Sequence, residues 1–394
     1  MKGEKGLPDL IYDAIEGAVG PGLHSLHEPH LGPKEAEYLV KCVESTYVSS
    51  VGPFVNRFEA ELAEYTGVKY VVAMVNGTAA LHISLLISGV SSGDEVLVPA
   101  LSFVASANAV SYCNAIPHFV DCDEYTLGID PKLLREYLRS ITVKKNGLCI
   151  NKKTGRVIRA LMVMHTFGHP SALDELVILA ADFGLVLVED AAESLGSYYH
   201  GRHVGNFGRV AAFSFNGNKI ITTGGGGAVL TNDLHLSIRA RHISTTAKLQ
   251  HAWEYVHDMV GYNYRLPNLN AALGCAQLES ITGFLESKRR LFCRYEEAFK
   301  NISNVKLFRE PVGCVSNYWL QTLVLDTKAS EQRDSVLEYL NHRGINCRPA
   351  WALLSSLDPY KRCPQMSLSC AKNMVERLIN IPSSAKLGGG ITIA

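Results

Sequence analysis

Lys219 is the residue whose setting most plainly suggests covalent chemistry. It lies four positions beyond the apolar run RVAAFSF and is bracketed by Gly217, Ile220 and Ile221. Withdrawing an amine from water favours its neutral form, which attacks carbonyl carbon. A second candidate, Asp190, closes the apolar run LVLVED. An acid at the carboxyl end of a buried parallel strand lies where open α/β sheets bind ligands, and once buried it requires a partner. Taken singly, each has a plain structural account: the lysine as a solvated loop charge, the aspartate as a helix cap. Ser214 ends the run that precedes Lys219, and an upstream strand pattern, KYVVAMV, passes through Asn76, Gly77 and Thr78 into a helical pattern. A strand-end carboxylate, a serine and lysine about thirty residues on, and a strand–Gly-Thr–helix turn together meet the needs of pyridoxal phosphate. That coenzyme takes an amine on its aldehyde, a carboxylate at its pyridinium nitrogen, and amides and hydroxyls at a helix N-terminus around its phosphate. The run Gly224–Gly227 matches neither common phosphate loop, because Lys219 precedes the glycines and no suitably spaced acid follows them.

The elements that must position these residues are legible from hydrophobic spacing. Short apolar strands are expected at 69–75, 94–99, 116–121, 159–165, 185–190, 209–215 and 227–233. A helical pattern at 34–50 precedes them, and others fall between them, at 78–90, 103–113, 131–141 and 172–183. Near-continuous apolar strands alternating with helices imply a mostly parallel central sheet covered on both faces, an α/β fold. After Pro267 the pattern changes to helices at 268–276 and 277–299, a strand at 318–326 and a helix at 331–343. We therefore expect an N-terminal arm over 1–32, a large α/β domain over 33–275 and a small α+β domain over 276–394.

The chain has 394 residues, 47% apolar and 19% charged, with 38 basic and 38 acidic side chains. This is globular composition, and its zero formal charge gives no global field for nucleic acid or an anionic membrane. No apolar run approaches the length of a membrane span, and the first twenty residues lack the apolar region of a secretory signal. Ten scattered cysteines without a C-x-x-C pair fit free, mostly buried thiols in a reducing, cytoplasmic setting.

The blocks NGTAALH (76–82), PALSFVASANAV (99–110), VEDAAESLGS (188–197), FSFNGNKIITTGGGG (213–227) and GYNYRLPNLNAALGCAQLE (261–279) resemble the DegT/DnrJ/StrS family of fold-type I, pyridoxal-phosphate-dependent sugar aminotransferases. The resemblance runs from about residue 26 to 384. MHTFGHP (164–170), STTAK (244–248) and RPAW (348–351) further resemble the branch that aminates nucleotide-linked 4-keto-6-deoxy-hexosamines for legionaminic- or pseudaminic-type sugars. The resemblance implies that Lys219 forms the Schiff base and Asp190 pairs with the pyridine nitrogen. It implies that Gly77, Thr78 and Ser214 bind the phosphate, that Phe103 stacks on the ring, and that Ala192 packs on the opposite face. Asn263 would be a phosphate ligand donated by the neighbouring subunit, making the active site shared across a homodimer. At Glu193 the family often carries Gln or His near the ring phenolate. A carboxylate there repels the phenolate unless it is protonated or turned away.

The implied reaction moves an amino group from L-glutamate, released as 2-oxoglutarate, to a nucleotide sugar. The expected acceptor is UDP-4-keto-6-deoxy-N-acetylglucosamine, and the product is its 4-amino-4,6-dideoxy counterpart. Lys248, Arg265 and Arg348 are candidate cations for the diphosphate. HSLHEPH (24–30) and His165 are candidates for the neighbourhood of the sugar. The histidine spacings at 24, 27 and 30 and at 200 and 203 lack companion ligands, so no metal site is expected. Two rivals remain: a sugar dehydratase of the same fold, which would replace the lysine with histidine, and a non-catalytic nucleotide-sugar binding protein.

Overall fold

The computed structural model describes residues 5–391. Seven strands carry the main sheet: β1 (Tyr70–Met74), β2 (Glu95–Pro99), β3 (Ile116–Val120), β4 (Val157–Met164), β5 (Val186–Asp190), β6 (Val210–Ser214) and β7 (Gly227–Thr231). Their order is β1-β7-β6-β5-β4-β2-β3, and the hairpin Thr142–Lys145/Leu148–Asn151 extends the sheet beside β4 to nine strands. Strands β2 to β6 pair in parallel, as their apolar runs require when both faces are covered. Strand β7 is the exception, pairing antiparallel with both β6 and β1. Residues 215–226 contain no helix, and without a crossover element the chain can only return antiparallel. That returning loop carries Lys219. The carboxyl ends of β1, β4, β5 and β6 therefore meet the start of β7 along one edge of the sheet.

A second sheet, antiparallel, is ordered Val305–Leu307, Gln321–Leu325, Leu378–Ile381 and Arg348–Pro349. Its core includes Leu291, Tyr295 and Phe299 from the helix Ile281–Phe299, and Val336 and Leu340 from the helix Arg333–His342. The N-terminal region, expected as an unpatterned arm, instead contains the helix Leu7–Val19. Ile11 and Ile15, four apart, are fully buried in this same second core. Short length and an acidic outer face (Asp9, Asp13, Glu16) obscured this helix in the sequence, where its stripe rests on Leu7, Ile11, Ile15 and Ala18.

The glycine run has a packing explanation. A Cβ on Gly227 would lie 2.5 Å from the carbonyl carbon of Asn76, so β7 can begin only where no side chain intrudes on the turn entering the helix Gly77–Ile87. Gly77 is equally confined, with a Cβ there falling 2.7 Å from that of Ser214. Gly77→Ala should cost about 1–3 kcal/mol of stability through overpacking. A denaturant melt of the coenzyme-free protein checks this, and an unchanged midpoint would refute the close approach.

Candidate active site

A cavity of about 250 Å³ opens at the carboxyl edge of the sheet. Its walls include Gly77, Thr78, Phe103, Asp190, Ala192, Glu193, Ser214 and Lys219, eight of the nine residues that the resemblance assigns to the coenzyme site. Strand ends deliver them. Asp190 is the last residue of β5 and Ser214 the last of β6, while Gly77 and Thr78 open the helix that follows β1. The side chain of Asn76 caps this helix by accepting the Ala79 N–H at 2.8 Å. The first-turn amides at Gly77 and Thr78 have no partner within the helix and suit an anion. Asn263 stands apart: it is exposed, bridges to Thr245, and does not line the cavity.

Asp190 is buried and holds the partner that its position demanded. Ser106 Oγ donates to Oδ2 at 2.6 Å, and the Ala192 N–H donates to Oδ1 at 3.3 Å. Burial raises its pKa above the ordinary carboxylate range, an effect these two donors and the charge of Lys219 only partly offset. Ser106 was missed in the sequence, where it reads as one small residue among several in PALSFVASANAV. Its own oxygen is held by Ser102 at 2.7 Å, so the aspartate is oriented by a relay of hydroxyls.

Lys219 meets more than the small and apolar sequence neighbours that were expected to desolvate it. Its Nζ lies 3.3 Å from Glu193 Oε1 and 3.8 Å from the centroid of the Trp319 ring. The indole is fixed in turn by its Nε1–H, which donates to the carbonyl of Asn218 at 2.6 Å. Trp351 also lines the cavity, 6.3 Å from the ring of Phe103 and 5.0 Å from that of Phe167. The sequence assigns neither tryptophan to the cavity, although Trp351 ends the motif RPAW, because both lie far along the chain from the strands that carry Asp190 and Ser214.

Glu193 is almost wholly buried. Its Oε2 accepts the N–H of Phe167 at 3.0 Å. Phe167 holds a left-handed backbone conformation, with φ 56°, that non-glycine residues adopt at a cost. Burial pushes the Glu193 carboxyl up to about 7, against the pull of Lys219 and with a smaller push from Asp190. A carboxyl whose folded pKa exceeds its unfolded value of 4.5 binds its proton more tightly in the folded state. Stability of the coenzyme-free protein should therefore fall as pH rises from about 4.5 to about 7 and level off above. Glu193→Gln should flatten that part of a thermal-melt profile, and an identical slope in both proteins would contradict this.

Several other expectations land elsewhere. His165 is buried behind the cavity, where Nδ1 accepts the Ser171 N–H at 3.2 Å and Nε2 lies 3.1 Å from Glu189. It serves the packing beneath β4 and β5 and does not line the cavity. The segment HSLHEPH does not line it either; both ring nitrogens of His27 are buried without a partner among the described residues. Lys248, Arg265 and Arg348 also lie outside the walls. Among the described residues, no group of three or more His, Cys, Asp or Glu side chains could hold a metal ion, and no helix is long and apolar enough to cross a membrane.

The cavity fits pyridoxal phosphate by its donor set. It combines a buried acid, an amine reached from a strand-end loop, and a helix start brought within van der Waals range of a serine by an obligatory glycine. These features, on a mostly parallel seven-strand path with one reversed strand, define a fold-type I pyridoxal-phosphate-dependent enzyme. The chain belongs to the DegT/DnrJ/EryC1/StrS aminotransferase family, which it matches over residues 29–390. It is accordingly a pyridoxal-phosphate-dependent sugar aminotransferase. It is similar to the GDP-perosamine synthase of Escherichia coli O157:H7, with 38% identity over 92% of this chain and 93% of the relative. It shares 38% identity with the putative pyridoxal phosphate-dependent aminotransferase EpsN of Bacillus subtilis (strain 168), over 83% of this chain and 81% of that one. Among solved structures, the aminotransferase TlmJ from Streptoalloteichus hindustanus superposes with a TM-score of 0.82 at 29% identity, covering 92% of this chain and 94% of its own.

Proposed function

We propose that the chain transfers an amino group from L-glutamate to C4 of a nucleotide-linked 4-keto-6-deoxy sugar, with UDP-4-keto-6-deoxy-N-acetylglucosamine as the acceptor. The observation that carries the reading is the cavity in which Lys219, Asp190 and the Gly77–Thr78 turn converge. When bound there, pyridoxal phosphate supplies an electrophilic carbonyl carbon and a cationic ring that withdraws electrons from the carbon losing its proton. Lys219 would anchor the coenzyme, and its amine, when free, would serve as the acid–base group that moves the substrate's proton. Asp190, oriented by Ser106, holds the ring nitrogen in its protonated form. Gly77, Thr78 and Ser214 take the phosphate; Phe103 and Ala192 flank the ring; Glu193 lies beside it.

In this reading the site is completed by a second copy of the chain, which donates Asn263. The exposed position of Asn263 outside its own cavity supports that arrangement. So does the segment 249–260 just before it, where Trp253, Tyr255 and Val260 are strongly exposed. The division into a coenzyme-binding unit over 33–275 and a smaller unit over 276–394, with residues 1–32 preceding both, belongs to the same reading. A separate hydrophobic cluster, drawn from the helix Leu7–Val19 and from residues between 291 and 381, supports it.

The likeness to a GDP-perosamine synthase favours a second reading, in which the acceptor is GDP-linked. Purified protein incubated with L-glutamate and a panel of UDP-, GDP- and dTDP-linked keto sugars, with NMR of each product, separates the two. The first reading expects 4-amination of the UDP-linked N-acetyl sugar. Turnover confined to the GDP-linked sugars would replace it with the second. A colourless protein that pyridoxal phosphate fails to turn yellow would reject both.

A further inference from the structure

His82 is buried in the helix Gly77–Ile87, more than a full turn beyond Gly77 and Thr78, and the chemistry of the cavity gives it no task. Its hydrogen bonding is poor. Nδ1 lies 3.5 Å from Tyr264 Oη, at the limit of a hydrogen bond, and Nε2 is buried with no partner among the described residues. Burial lowers its pKa, which favours the neutral ring. A neutral ring with so few polar contacts acts through its shape. Three tyrosines meet it edge to face, with ring centroids 4.8 Å away for Tyr262, 5.7 Å for Tyr112 and 6.0 Å for Tyr264. Tyr262 and Tyr264 are themselves stacked at 5.1 Å.

Between these two tyrosines stands Asn263. The Tyr262 N–H donates to the carbonyl of Ile243 at 2.7 Å and the Tyr264 N–H to that of Ser244 at 3.0 Å, while the Tyr264 carbonyl accepts the Val75 N–H at 2.8 Å. In an extended segment successive side chains point to opposite faces. With 262 and 264 turned onto His82, Asn263 faces outward, and it is exposed. The backbone bonds fix the path of the segment, but a slip by one residue would exchange its faces and turn Asn263 inward. Two rings seated against His82 oppose that slip.

We propose that His82 is a positioning residue for the neighbouring copy of the chain: by clamping Tyr262 and Tyr264 it presents Asn263 to the second copy's cavity. This rests on the reading given above, in which Asn263 completes the neighbour's site. One helix then serves two sites. Its first turn takes the phosphate in its own cavity, and His82 steers a ligand into the other.

The test uses heterodimers isolated through two different tags, one chain carrying His82→Ala and the other Lys219→Ala. Only the chain that keeps its lysine can react, and the Asn263 that reaches it comes from the chain whose His82 is intact. The His82→Ala homodimer should need about tenfold more pyridoxal phosphate for half-maximal turnover. The heterodimer should recover the wild-type coenzyme dependence, at about half the wild-type rate per dimer because one of two equivalent sites works. A heterodimer as impaired as the His82→Ala homodimer would show that His82 acts only within its own chain, through folding or the helix start, and would overturn the proposal. A His82→Ala homodimer with wild-type coenzyme dependence would do the same. If His82→Ala does not fold, Tyr262→Leu, on the half-buried opposing side of the clamp, takes its place with the same outcomes. Heterodimers of Asn263→Ala with Lys219→Ala test the underlying reading separately. Failure of that pair to recover, or full activity from an isolated single chain, would reject the shared site itself.

Discussion

Replacing Lys219 with alanine is expected to lower transamination by at least about a thousandfold, the scale of losing both a covalent anchor and a positioned proton carrier. Among the described residues, Lys219 Nζ is the only side-chain amine on the cavity wall, so no neighbouring lysine there can substitute for it. Borohydride treatment of the wild type should attach coenzyme to the peptide containing residue 219, and the variant should take no label. The variant should remain folded, because Lys219 is held by one ion pair at 3.3 Å and one aromatic face and not by the core. A label on another peptide, or turnover within tenfold of wild type, would dismantle the assignment.

Replacing Asp190 with asparagine should lower turnover by about a hundred- to a thousandfold while preserving shape. The substitution removes the negative charge that keeps a pyridinium protonated. The Ser106 hydroxyl at 2.6 Å can still be accommodated by the amide oxygen. Because the free carboxyl is raised by burial, it costs the coenzyme-free protein stability as pH rises above the ordinary aspartate value. The asparagine variant should therefore melt at a higher temperature than wild type near neutral pH without coenzyme. Full activity combined with an unchanged melt would show that Asp190 only caps the turn after β5.

The sequence carried the chemistry better than the surroundings. Strand ends were readable because β6 is apolar until Ser214 and β5 is apolar until the acidic pair Glu189 and Asp190 that ends it, so both stand out as polar stops on buried runs. The turn Asn76–Thr78 was readable because a cap, a glycine and a helix start in succession have few other uses. The walls were not readable. Trp319, Trp351 and the Phe167 amide reach the cavity through tertiary packing, and no local spacing announces it. The histidines misled for the complementary reason: His165 follows β4 directly, but its ring turns back onto Glu189 at 3.1 Å and away from the cavity. The reversed direction of β7 was concealed because an apolar strand reads the same in either orientation, and only the helix-free loop before it reveals the return.

The placement of the two tryptophans has a consequence for biosynthesis. Protein is made from the amino terminus, and early segments begin to fold while later ones are still inside the ribosome. Asp190, Ser214 and Lys219 have all emerged well before Trp319 and Trp351 are translated, so a nascent chain presents its reactive amine in a half-built pocket with one side open to water. Until Trp319 arrives, Lys219 Nζ lacks the aromatic face that lies 3.8 Å from it in the finished polypeptide.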